Sequence, residues 1–173
     1  MPGTRYCLLF LVMLAGFAPR PARSQSSAPE YVIREDQPRT GSHIRRDEVA
    51  GSTIPLNKRY YELSAAERET LNQGYEPMER GDEPPFPAEG LRPIYDAIRK
   101  AQKKLLVEGN LFLVADVGAD GKVTQVSVFD SPSEKMTSFA GSVLLMTAFK
   151  PALCGGKACK MQYPFRMTFA VEN

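Results

Sequence analysis

The chain has 173 residues, enough for one domain with extensions or two very small ones. Hydrophobic residues make up 43% and charged residues 24%, which excludes a fully disordered chain, a collagen-like fibre and a polytopic membrane protein. Lys+Arg number 22 against 20 Asp+Glu, a formal net charge of +2, so nothing electrostatic points to nucleic acid.

The N-terminus reads as an export signal. Met1–Tyr6 carries one charge, Arg5, and Cys7–Ala18 (CLLFLVMLAGFA) is an unbroken apolar run. As a helix that run spans roughly 18 Å, short of the about 30 Å of a bilayer core. Ala22 and Ser24 then put small residues three before and just before a cut ahead of Gln25, the pattern of a cleaved secretory signal over residues 1–24. Cleavage between Ser24 and Gln25 leaves no membrane span. It also removes Cys7, so Cys154 and Cys159 remain as a pair for an oxidising compartment.

Residues 25–60 show no sustained period and much Ser, Pro, Gly and charge, the composition of a flexible leader. In the next segment, 61–89, Ser64-Ala65-Ala66-Glu67 is a capping box that opens a short helix, with Gly74 to end it. Pro77, Pro84, Pro85 and Pro87 then make an extended boundary. Residues 25–89 carry 8 basic and 13 acidic side chains, and residues 90–173 carry 11 and 7. This asymmetry allows the arm to lie on the domain that follows.

That domain, 90–173, has clear periodicity. Leu91, Ile94, Tyr95, Ile98, Ala101 and Leu105 repeat at helical spacing, with Pro93 in the first turn and Gly109 as the breaker. Lys100, Lys103 and Lys104 suit the helix C-terminus and read as a solvated face. Asn110–Val117 is a strand apolar on both faces, hence central. Gly118–Gly121 turns it into a return strand over Lys122–Asp130. Ser131-Pro132-Ser133-Glu134 opens a second helix with Met136, Phe139, Ala140, Val143, Leu144 and Thr147 inward, stopped by Pro151. From Lys160 to Glu172 apolar and polar residues alternate strictly, a strand.

The predicted fold class is α+β: helix, strand, strand, helix, strand. A right-handed crossover sets the third strand beside the first, giving a three-stranded antiparallel sheet in the order second, first, third, with both helices on one face. Pro164 lacks a ladder donor, so the last strand is an edge and Pro164 takes an outward slot. Gln162, Arg166, Thr168 and Ala170 share its parity. With Pro164 they form the edge to which an incoming strand would add.

Several pieces together carry a resemblance: Pro-Phe-Pro at 85–87, the strand NLFLVADV, the hairpin ADGKVTQVSV, AFKPA at 148–152 and the alternating last strand. Over residues 84–172 the chain resembles the C-terminal domain of the TonB family. The resemblance implies a periplasmic module that binds an extended peptide of an outer-membrane receptor, or of another envelope protein, by strand addition. The family passes inner-membrane energy to such receptors, and transport across the outer membrane is the setting it implies. Family transducers keep a membrane helix and a long Pro-rich spacer, whereas here the apolar run is short and the arm short and mixed. The alternative is a structural envelope protein of the same fold.

No chemical constellation competes with that reading. Cys154 and Cys159 flank a Gly-Gly turn, and a structural disulfide fits them better than redox chemistry, which more often uses Cys-x-x-Cys. His43 is the only histidine, too few for zinc. Asp116, Asp120 and Asp130 lack the spacing and closing glutamate of a calcium loop. No catalytic residue, metal or cofactor is expected, and no enzyme.

Overall fold

The computed structural model describes residues 54–170 and, as backbone, the strand Tyr31–Ile33. The export signal over 1–24, its cleavage point at Ser24 and Gln25, and His43 lie outside the described residues. Among the described residues no helix is long and apolar enough to cross a membrane.

The main sheet contains the three antiparallel strands that the alternation predicts. They are β3 (Gly109–Val117), β4 (Val123–Asp130) and β8 (Met161–Phe169). Strand β3 lies in the middle, and β4 and β8 pair with it antiparallel on either side. A fourth strand, β1 (Tyr31–Ile33), was not predicted. It lies parallel to β4, so the order is β1-β4-β3-β8. The leader read over 25–60 is therefore not structureless throughout.

Strand β3 explains the layering. Its successive side chains point to opposite faces. Leu111, Leu113 and Ala115 face one way and pack with Val126, Val128, Tyr163 and Phe165 from the flanking strands. Helix α2 (Arg92–Leu105) lays Ile94 and Ile98 on that face, and helix α3 (Glu134–Met146) lays down Met136, Ala140 and Leu144. Burying such side chains stabilises by about 1.5–3 kcal/mol each. The core also draws on residues before the predicted domain start. Ile54, Tyr60, Leu63 and Phe86 belong to it, and Phe86 is fully buried.

The other face of β3 presents Phe112 and Val114. Tyr75, Met78 and Ala152 cover it, with Phe129, Cys159 and Met161 alongside. Ala152 and Cys159 sit on a two-stranded hairpin, β6 (Ala152–Cys154) and β7 (Lys157–Cys159). A second small pairing joins β2 (Phe86–Pro87) to β5 (Phe149–Lys150).

Helix ends differ in detail from the sequence reading. Ser64 caps α1 (Ala65–Asn72) through the predicted capping box, and α1 buries none of its residues. Helix α2 ends before Gly109: Leu106 takes the left-handed conformation at φ 50 and donates its N–H to the Gln102 carbonyl at 2.7 Å. Helix α3 is capped by Ser133, whose Oγ accepts from the Met136 N–H at 3.2 Å. Ser131, the predicted cap, bonds Thr137 Oγ1 instead. Phe139, predicted inward, is 41% exposed, while Thr137 and Gly141 are buried.

Candidate functional site

Among the described residues, strand β8 stands at the end of the sheet and pairs with β3 along its whole length, from Met161 opposite Val117 to Phe169 opposite Gly109. Tyr163, Phe165 and Phe169 are buried in the helix-covered core, and Met161 is buried in the cluster on the other face. The alternate residues form one row on the helix-free face, and each meets its register partner on β3. The Gln162 amide donates to Asp116 Oδ1 at 2.9 Å, and Lys160 Nζ lies 3.1 Å from the other oxygen of that carboxylate. Pro164 lies opposite Val114. The Arg166 guanidinium sits 4.0 Å from the centre of the Phe112 ring, a cation–π contact. Thr168 Oγ1 donates to Asn110 Oδ1 at 3.0 Å. Cross-strand pairs of this kind contribute roughly 0.2–1 kcal/mol each, so the row stitches β8 to β3.

Ala170 is not part of this row. It lies beyond the end of β8, and its carbonyl accepts from the Gln102 side chain on α2 at 3.4 Å.

Cys154 and Cys159 are disulfide-bonded with Cα atoms 5.9 Å apart, closing the β6–β7 hairpin. The hairpin is clamped from outside. Glu83 and Leu153 exchange backbone bonds at 2.9 and 2.8 Å, and the Gly155 N–H donates to Asp82 Oδ1 at 2.7 Å.

Of the three aspartates weighed for calcium, Asp116 and Asp130 lie at opposite ends of the β3–β4 ladder. Asp120 accepts from the Lys122 N–H in the turn at 3.1 Å. Among the described residues no group of three or more His, Cys, Asp or Glu side chains could hold a metal.

Two surface hollows stand out among the described residues. One, of about 400 Å³, surrounds Tyr60, Arg68, Glu83 and Lys150. The Lys150 ammonium there is 2.9 Å from Glu83 and donates to the carbonyls of Pro84 at 3.3 Å and Pro151 at 3.1 Å. It also lies 4.2 Å from the Tyr60 ring centre, with Arg68 at 5.2 Å. Burial pushes the Tyr60 hydroxyl above its ordinary pKa, with the Glu83 charge adding to the shift. The cluster fastens β5 to the segment before α1. The other hollow, about 680 Å³, runs between α2 and α3, with Lys100, Lys104 and Lys135 around Ala101, Leu105 and Phe139.

The strand at Tyr31–Ile33 is a feature that sequence reading missed. Its signal was present, since Tyr, Val and Ile are strong strand formers, but three residues establish no period. No family model and no curated protein matches the chain.

Proposed function

We propose that this chain is an exported periplasmic protein-interaction module that binds an extended peptide by adding it as a strand to the outer side of β8. The resemblance of residues 84–172 to the TonB C-terminal domain suggests the periplasm, an envelope or outer-membrane receptor partner, and transport as the setting. The observation that carries the reading is that β8, nine residues long, pairs on one side only among the described residues. Pro164 supports it. A residue without an N–H sits in an edge strand with no lost ladder bond when its slot points outward. Along an antiparallel strand the side on which N–H and C=O point alternates, so Gln162 and Thr168 share that outward slot with Pro164.

The test is Thr168→Pro. It removes a second outward donor, so binding of a labelled extended peptide from an outer-membrane receptor falls at least tenfold while the circular dichroism spectrum stays unchanged. Unfolding by this substitution would mean that the Thr168 N–H serves β3, and the reading would fail. A second reading, a structural envelope protein whose edge is blunted by Pro164, is favoured by the same proline. Under it the unsubstituted chain binds no such peptide.

A further inference from the structure

The opposite edge of the sheet already carries an added strand. Tyr31, Val32 and Ile33 lie parallel to β4, opposite Val126, Ser127 and Val128. Neighbouring parallel strands cannot be joined by a tight turn. Residues 34–53 separate β1 from Ile54, the first described core residue on the domain side. Strand β1 therefore reaches β4 as a tethered peptide reaches a receptor, and not as one arm of a hairpin.

The fit is partial. Strand β4 has eight residues, and β1 covers three of them. Val123–Gln125 and Phe129–Asp130 have no partner strand on that side among the described residues. Three residues lie at the lower limit of strand length, so pairing this short depends on the tether. A segment linked within the same chain competes at an effective concentration that reaches about millimolar for short linkers, which a longer competing strand can overcome. The register also states what would fit. Val126 and Val128 are buried on the helix-covered side of the sheet, so a strand paired in this register meets an apolar edge there. Apolar, strand-forming residues two apart suit those places.

We propose that the outer edge of β4 is a second strand-acceptor site, plugged by the chain's own Tyr31–Ile33. Its ligand is an extended peptide of about six to eight residues with apolar residues at alternate positions, which pairs parallel to β4 once the plug leaves. This goes beyond the β8 reading and does not rest on it.

The experiment uses the full chain and a fluorescein-labelled peptide of residues 28–36, APEYVIRED, as the probe. The double variant Val32→Pro/Ile33→Pro removes plug donors of both parities. It binds the probe at least tenfold more tightly than the unsubstituted chain. A probe with proline at the same two positions does not bind. Equal affinity for the two proteins, or binding to neither, overturns the proposal. Thr168→Pro in the double variant leaves probe binding unchanged; loss of binding would put the probe on β8, overturning this site while sparing the β8 reading. Sedimentation of the unsubstituted chain gives a monomer. A dimer that the double variant dissolves would mean that the segment crosses to a second copy, and the intramolecular plug would be overturned.

Discussion

Phe149 donates its backbone N–H to the Gly121 carbonyl at 2.9 Å, and its own carbonyl fills the space that a β-carbon on Gly121 would need. Gly121 ends the β3–β4 turn at φ +77, so backbone angle and contact both demand glycine there. Gly121→Ala is expected to cost about 3 kcal/mol, from left-handed strain plus the displaced Phe149 strand. Gly155, also at positive φ, has nothing within 4 Å of such a carbon. Gly155→Ala should cost about 1 kcal/mol, the strain alone. Urea midpoints of the two variants measure the difference, and equal losses would refute the crowding at Phe149.

Leu106 holds a left-handed conformation with its side chain 68% exposed. A β-carbon is costly there, and the exposed side chain returns little by burial. Leu106→Gly should raise stability by about 0.5–1 kcal/mol, with Leu106→Asn in between. Thermal melts decide it; a lowered melting temperature for both would show that Leu106 packs usefully.

The Tyr75 hydroxyl is buried without a hydrogen-bond partner. Burial pushes its pKa far above the usual tyrosine range, and burial does the same to Tyr163. In the unfolded chain both titrate near 10. The folded state keeps its protons to higher pH, so stability is fully present below about pH 9 and is lost as pH rises through 10 and beyond. Each further pH unit removes about 1.4 kcal/mol per tyrosine. Tyr75→Phe is expected to raise stability by about 1 kcal/mol at pH 7 and to flatten the alkaline decline. Urea titrations at pH 8, 10 and 11 check both parts.

Reduction of Cys154–Cys159 opens a short ring, which the chain-entropy relation puts at about 2 kcal/mol. The double change to serine should lower stability by that amount and keep the four-stranded sheet, because the hairpin lies outside it. Hydrogen exchange should quicken first at Leu153 and Gly155, the residues that bind Glu83 and Asp82. Mass spectrometry of unreduced protein should show a two-hydrogen deficit.

Much of the domain was legible because its elements are long enough to show a period. The strict alternation of β8 and the 3.6-residue spacing of α2 each survive in the folded chain, and Pro164 alone marked β8 as an edge. Other features depend on single residues or distant partners. Phe86 sits among prolines, so no period reveals that it is fully buried. Ser131 and Ser133 are both competent caps, and only the path of the chain lets Ser133 reach the Met136 N–H. At the candidate edge, Gln162 and Thr168 were assigned from parity, but their side-chain bonds to Asp116 and Asn110 needed the register. Ala170 was misassigned because alternation cannot say where a strand ends.

The pairing of Tyr31–Ile33 with Val126–Val128 also has a consequence in time. Strands joined across so much chain carry a large loop-closure entropy and form late, after the hairpin of β3 and β4 and the docking of β8. During refolding, β4 therefore spends an interval with its amides and carbonyls bare while the rest of the sheet is complete. An unpaired edge is the usual seed of sheet-to-sheet association. Aggregation of this protein should accordingly begin at β4, grow steeply with concentration during refolding, and subside once the N-terminal strand has arrived.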